Sequence, residues 1–318
     1  MSRLFLVKIS YLIISLSLIA GCSNELVVET EESRLPVVYG LLDAADSLQL
    51  IRIEAALLPV NHGGPDAYLL DSLHRNTQFF EADFGDAASS QLNPLDRILW
   101  SQIPEVSKPL APFSDFIYVT KMQIDPARSY VIVLSDEHGR VASAETSIVE
   151  PFAVTQPRTS ELLSLNRKIA IRWQSSSNAS VYEVAWMVRY IEQTDSGPAN
   201  LQVLLPQLST GQISASLEGE AFYQDLAGKL VPLPDGSRTL SGIYLVVVGG
   251  SAAYVELQQV LQAGQGITGI QNIPAYSNVE GGLGVFTSRY TSNNGPFQLT
   301  GESLDSLQYG TYTRLLGF

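Results

Sequence analysis

Residues 249–253, with the sequence GGSAA, could position a serine nucleophile, because they lie between an apolar run and a helix-like pattern. In a nucleophile elbow, Gly-x-Ser-x-Gly forms a tight strand-to-helix turn that exposes the serine hydroxyl. In that fold the histidine base follows the serine along the chain, whereas His62, His74 and His138 all precede Ser251. The elbow also needs a mainly parallel sheet with alternating helices, which the sequence does not predict. We therefore expect the glycines to end a strand and Ser251 to cap the following helix.

A second glycine-rich segment, residues 264–269 (GQGITG), matches the letters of the dinucleotide-binding motif Gly-x-Gly-x-x-Gly. That motif needs a strand before it and a helix after it, so that the start of the helix faces the pyrophosphate. Here a helix-like pattern precedes the glycines, and a loop with Pro274 follows them. No dinucleotide site is predicted, and we expect no other cofactor.

The acidic residues and histidines do not form a metal-binding pattern. The three histidines are scattered, His-Glu-x-x-His is absent, and cysteine ligands are lacking. The acid pairs Asp43/Asp46 and Asp136/Glu137 lack the alternate-residue ligands and central glycine of a calcium loop. We predict that these acids form turns, that no metal is bound and that there is no catalytic residue.

Residues 272–297 form the most unusual stretch, because they combine aromatic rings and amides with a single cation, Arg289. Rings stack on the apolar faces of sugars, and amides bond to hydroxyls or to a peptide backbone. The candidate binding surface, for a glycan or a peptide, consists of Tyr276, Asn278, Arg289 and Tyr290. The alternative, which we favour, is that this stretch is core strand and that its glycines serve only the backbone.

The only cysteine, Cys22, follows a segment typical of a secretory signal peptide. Residues 1–21 have a basic start and an apolar core of about a dozen residues, which is short for a bilayer span of roughly 20. Residues 19–22 (IAGC) look like a bacterial lipobox, in which the cysteine is joined to diacylglycerol. We predict lipidation at Cys22; the alternative is a plain secretory signal with an incidental cysteine. With one cysteine, no intramolecular disulfide can stabilise the chain.

Residues 22–34 are predicted to be the lipidated cysteine and a flexible acidic stalk, since this stretch is polar and contains four glutamates. Ser23 stands where many inner-membrane lipoproteins carry an aspartate, which favours the outer membrane. The formal net charge of −13 repels nucleic acid. A nucleic-acid partner is therefore excluded, and the membrane is reached through the N-terminal lipid.

Short strand patterns bounded by turn residues dominate the chain from residue 35 to residue 150. Six such runs predict one antiparallel sandwich; they cover residues 36–43, 48–59, 77–84, 116–124, 129–136 and 141–149. Two prolines within residues 149–157 mark a predicted boundary, so that residues 151–318 form a second β-rich domain.

Within the second domain, large apolar residues alternate from Tyr182 to Tyr190, which is the period of a half-buried strand. A tryptophan that ends one strand, Trp173, and Tyr182 at the start of the next resemble a fibronectin type III sandwich, whose rings pack across the core. Apolar residues at every fourth position predict two short helices, over 219–230 and 252–263, and the run between them predicts a buried strand over 242–250. The predicted fold is thus mainly β, with two antiparallel sandwiches.

The chain resembles a family of Bacteroidetes outer-membrane lipoproteins of unknown function. Five stretches carry the resemblance: the lipobox at Cys22, residues 35–59, 130–152, 277–290 and 303–318. The resemblance implies two β-rich domains, no known catalytic residue and a gene that often lies beside that of a TonB-dependent transporter. It favours the cell surface over the periplasmic face. The expected function is a non-enzymatic accessory or binding subunit; the alternatives are an adhesive surface protein and, less favoured, a surface hydrolase.

Overall fold

The computed structural model describes six parts of the chain, namely residues 33–58, 80–103, 116–194, 196–233, 237–263 and 276–318. The predicted signal peptide, Cys22, His62, His74 and residues 264–269 lie outside these ranges. The expectations that concern them remain predictions.

The described residues form sixteen strands and three α-helices. In chain order the strands are β1 (Ser33–Asp43), β2 (Gln49–Leu58), β3 (Glu81–Asp86), β4 (Asn93–Pro94), β5 (Asp96–Leu99), β6 (Phe116–Thr120), β7 (Ser129–Asp136), β8 (Gly139–Ser147), β9 (Val154–Gln156), β10 (Ile169–Trp173), β11 (Val181–Thr194), β12 (Gly197–Thr210), β13 (Ser214–Leu217), β14 (Arg238–Gly250), β15 (Val279–Glu280) and β16 (Leu283–Phe297). The helices are α1 (Gly219–Lys229), α2 (Tyr254–Ala263) and α3 (Gly301–Tyr309).

The predicted mainly β sandwich class is confirmed, and the second half shows it clearly. A three-stranded sheet in the order β13-β10-β9 faces β12-β11-β14-β16 of a larger sheet. Residues from both layers share one buried core. The rings of Trp173 and Tyr182 lie 5.4 Å apart in this core, so the predicted ring contact is also confirmed.

The first half is a second pair of layers. A five-stranded sheet in the order β15-β8-β7-β3-β4 faces β1, β2 and β6 of the large sheet. Alternate residues of β7, namely Tyr130, Ile132 and Leu134, point into the core, as the period of a half-buried strand requires. Phe84 stacks on Tyr130 at 5.4 Å between ring centroids.

Strand β16 joins the two halves, a feature that the sequence did not predict. Its first part, from Leu283 to Arg289, pairs in parallel with β1. Its second part, up to Phe297, pairs antiparallel with β14. One eight-stranded sheet therefore runs through both halves, and it contains a parallel pair where only antiparallel pairs were predicted. The predicted boundary at residues 150 and 151 stays a prediction, but Val279 and Phe286 contribute to the core of the first half.

Other elements also differ from the predictions in presence or bounds. The two predicted helices are present, but α3 was missed; Thr300 caps it by accepting a hydrogen bond from the Ser303 backbone N–H at 3.3 Å. Strand β12 was also missed. Ser33 and Arg34, which the sequence assigns to the end of the stalk, pair with β2 through the backbone; the stalk itself stays a prediction.

Candidate functional site

Two of the four predicted binding residues lie in the segment just before β15. Tyr276 is exposed over 40 % of its surface. Asn278 accepts a hydrogen bond from the Phe286 backbone N–H at 2.8 Å, and its amide nitrogen donates to the Phe286 carbonyl at 2.7 Å. The Asn278 amide therefore holds the segment before β15 against β16.

The other two residues, Arg289 and Tyr290, are consecutive in β16 and point to opposite faces of the sheet. The Arg289 Nε lies 3.4 Å from Asp43 Oδ2. The Tyr290 ring packs edge-on against Phe152 at 5.5 Å, beside the core of the second half. These two side chains do not share one surface.

Ser251 lies between β14 and α2, as predicted, but its hydroxyl has a different partner from the expected one. It lies 2.6 Å from the Thr287 hydroxyl on β16. The helix-side contact uses the Ser251 carbonyl, which accepts from the Tyr254 backbone N–H at 3.0 Å. The predicted side-chain cap is thus wrong, because the threonine on the neighbouring strand takes the hydroxyl. His138, the histidine within the described residues, lies in the exposed turn between β7 and β8.

The preceding glycine, Gly250, makes room for an aromatic ring. A Cβ at this position would lie 2.2 Å from the Tyr254 ring. The Tyr254 hydroxyl donates to Glu183 at 2.8 Å and accepts from the Gln258 amide at 2.7 Å. Burial, together with the negative charge of Glu183, raises the pKa of Tyr254. The glycine therefore serves the docking of α2 on the sheet.

Asp43 ends β1 and is buried close to Arg289. Its Oδ1 accepts a hydrogen bond from the Ala45 backbone N–H at 3.0 Å, so the predicted turn-forming role is confirmed. Burial raises the pKa of Asp43, and the Ala45 hydrogen bond and the Arg289 charge only partly offset this effect. The folded protein therefore binds this proton more tightly than the unfolded chain does.

We expect Asp43→Asn to change how stability depends on pH. The proton on Asp43 favours folding at low pH, and this contribution is lost as the pH rises from about 4 through the raised pKa. The unfolding free energy of the wild type minus that of Asp43→Asn should thus fall over this window and level off above it, as measured by urea denaturation. Asp86→Asn is the contrasting variant, because hydrogen bonds from Ala88 and Arg128 lower the pKa of Asp86. The unfolding free energy of the wild type minus that of Asp86→Asn should rise with pH. A rising difference for Asp43→Asn would contradict the expectation.

Among the described residues, no group of three or more His, Cys, Asp or Glu side chains is arranged to hold a metal ion. No described helix has the length and apolar character needed to cross a bilayer.

An open groove of about 320 Å³ lies where α1, α3 and the C-terminal segment meet, and we call it the α1–α3 groove. Its lining combines polar side chains with two tyrosine rings and consists of Asn166, Glu220, Tyr223, Ser306, Gly310, Thr311, Tyr312 and Thr313. Small-ligand sites begin at about this volume.

The floor of the groove is fixed by hydrogen bonds between the elements. Asn166 donates to the Ser306 hydroxyl at 2.8 Å, and its carbonyl oxygen lies 2.8 Å from the Tyr223 hydroxyl. The Thr313 hydroxyl donates to the Ser306 carbonyl at 2.6 Å. The relative positions of α1 and α3 are thereby set before any ligand arrives.

Tyr312 forms one wall and remains 43 % exposed. Its hydroxyl accepts from the Gln224 amide at 3.1 Å and donates to Glu220 Oε1 at 3.2 Å. Both partners belong to α1, so the ring is held from the far side of the groove. The sequence predicted no site here; the two tyrosines and two threonines within residues 309–313 (YGTYT) are the signal that could have found it.

The C-terminal wall is held by a buried arginine. Arg238 is 7 % exposed, and its Nη1 donates to the carbonyls of Val231 and Leu316, each at 2.8 Å. Its Nε lies 2.6 Å from Glu192 Oε2. Beyond these contacts, the Phe318 ring packs edge-on against Tyr190 at 5.9 Å. The chain end is therefore docked on β11 and β14.

No protein-family model and no curated protein matches the chain. Several solved structures are similar to it, and two of them are described here. A cytokine receptor complex is 11 % identical with a TM-score of 0.22, over 69 % of this chain and 86 % of that chain. The FN1-FN3 domains of chicken CNTN1 are 14 % identical with a TM-score of 0.22, over 67 % of this chain and 60 % of that chain. Likenesses this distant carry no argument about function; the strands themselves show that the protein is mainly β.

Proposed function

We propose that this protein is a non-enzymatic lipoprotein of the outer membrane, whose β domains bind a ligand and serve a TonB-dependent transporter as an accessory subunit. The observation that carries the binding role is the α1–α3 groove, which is open, polar and fixed by side-chain hydrogen bonds. Aromatic rings beside a few polar groups that are held in place are features of small-ligand sites, and Tyr223, Tyr312 and Asn166 supply them here.

The proposed membrane attachment is supported by the short distance in sequence between Cys22 and the fold. Strand β1 begins at Ser33 and pairs with β2 from its first residue. A fully extended chain spans at most about 3.3–3.6 Å per residue, so this linker reaches roughly 40 Å. A lipid on Cys22 would therefore keep the β domains close to the membrane surface, at the cell face that the sequence favours.

We expect Cys22→Ser to move the protein from the membrane fraction to the soluble fraction. One acyl chain binds a bilayer only marginally, whereas the several chains of a lipoprotein make release negligible. Fractionation, with separation of inner and outer membranes, measures the change, and mass spectrometry of the wild type should find lipid on residue 22. Ser23→Ala is the control and should stay at the outer membrane. An unmodified Cys22 in a freely diffusing wild type would refute the attachment.

The accessory role is tested separately, by purification from mild detergent. A stoichiometric barrel partner is expected in the eluate. A lipidated protein that purifies alone, and that mediates attachment between cells, would instead support the adhesive alternative.

A further inference from the structure

We infer that the α1–α3 groove binds a neutral saccharide; this inference rests on the proposed binding function and names its ligand class. The groove offers a half-exposed ring, a carboxylate, an amide and hydroxyl groups within one cavity of about 320 Å³. Sugars present apolar C–H faces to rings and hydroxyls to polar groups, so each of these side-chain types has a use.

The charge of the lining excludes anionic ligands. Among the described residues that line the groove, Glu220 is charged and none is a lysine or an arginine. The net charge of the chain, −13, also repels anions from the surface as a whole. Phosphorylated ligands and uronic acids would meet a carboxylate without a compensating cation, whereas a neutral polyol would not.

The side-chain types of the lining disfavour lipids, and the architecture of the groove disfavours peptides. Aliphatic side chains do not occur among the described residues of the lining. An extended peptide is usually held by backbone hydrogen bonds along a strand edge. This groove is built instead from side chains of helices and turns. Such side chains can form hydrogen bonds with the individual hydroxyls of a sugar.

The stacking surface is held in place before binding. The Tyr312 hydroxyl is fixed by Gln224 and Glu220, so the ring loses little rotational freedom when a sugar packs on it. Glu220 uses Oε1 for Tyr312, and its Oε2 has no hydrogen-bond partner within the described parts of the chain. That oxygen and the exposed Thr311 hydroxyl are the groups that we assign to sugar hydroxyls.

The test is isothermal titration of the full-length lipidated protein in detergent with a panel of oligosaccharides. The neutral probes are maltotetraose, cellotetraose, mannotetraose and xylotetraose; the contrasting probes are tetragalacturonate, which is anionic, and tetraglycine, which is a peptide. At least one neutral probe should bind with a Kd below about 1 mM. Tyr312→Ala should weaken that binding by about tenfold or more, because the stacking surface is removed.

Two variants separate stacking from folding. Tyr312→Phe keeps the ring and should retain most of the affinity. Tyr309→Ala removes a ring that is 76 % exposed and lies outside the groove lining, so it should bind like the wild type. All three variants are compared by thermal unfolding, and Tyr312→Ala counts only if its Tm matches that of Tyr312→Phe.

The inference is overturned if no neutral probe binds, if tetragalacturonate or tetraglycine binds more tightly, or if the folded Tyr312→Ala variant binds like the wild type. None of these results would alter the lipidation of Cys22 or the co-purification of a barrel. Saccharide binding by a protein that carries no lipid on Cys22 would refute only the proposed membrane attachment and would leave the saccharide inference standing.

Discussion

Gly284→Ala is expected to lower the free energy of unfolding by about 3 kcal/mol or more. Gly284 has a φ of +115°, which residues with a side chain rarely adopt. A Cβ would also lie 1.9 Å from the Val38 carbonyl oxygen. That contact is with backbone in the parallel pair of β1 and β16, so no side-chain rotation relieves it. Urea denaturation of wild type and variant measures the loss.

Gly228→Ala is the matched control for this substitution. Gly228 lies within α1, and a Cβ there meets nothing within 4 Å. Alanine favours a helix interior over glycine by about 1 kcal/mol, so the control should be neutral or slightly stabilising. A Gly284 variant as stable as this control would show that β1 and β16 are not paired as described.

Arg238→Ala is expected to destabilise the protein by about 3 kcal/mol, since it removes the partner of a carboxylate and of two carbonyls at once. Glu192 would lose its ion pair, and the Leu316 and Val231 carbonyls would lose their donor. Amide hydrogen exchange should also increase at residue 238, whose backbone N–H donates to the Gly317 carbonyl, and at Leu316, whose backbone N–H donates to the Thr313 carbonyl, because both bonds depend on the docked chain end.

The control for the arginine is Arg128→Ala on the opposite half of the molecule. The Arg128 side chain is 57 % exposed, and it pairs with Asp86 and Asp125 at the surface. Exposed ion pairs contribute at most about 1 kcal/mol, so this change should have a small effect. Equal losses for the two arginines, with no change in exchange near residue 316, would refute the structural role of Arg238.

The sequence predicted the strands in which large apolar residues alternate with other residues. Tyr182, Trp186 and Tyr190 fall on one face of β11, and all three are buried as the alternation requires. The run over 242–250 was predicted to be buried on both faces, and β14 has that burial. Local periodicity suffices in these cases because the buried face is encoded in adjacent residues.

The pairing of β1 with β16 could not be predicted in this way. Period and composition show that each is a strand, but they do not say which distant strand lies beside it. Helix α3 was missed for a related reason. Its apolar face is small, with Leu307 buried and Leu304 40 % exposed, so the stripe is faint in the sequence.

The candidate site needed three separate stretches of the chain to be brought together. Asn166, Glu220 and Tyr312 are unremarkable residues one by one, and their side chains meet only after α1 and α3 have packed. The predicted surface around Arg289 had a stronger local signal. That signal came from residues that serve the sheet, as the Asn278 amide and the Tyr290 ring show.

The parallel pairing of the first strand with the last one determines when the chain can finish folding. Val37 pairs with Leu283, so the ribosome must add nearly the whole chain after β1 before its neighbour exists. At roughly 5–20 residues per second, this delay is about 10–50 s. During that time β1 lacks its neighbour along one edge and can pair only with β2.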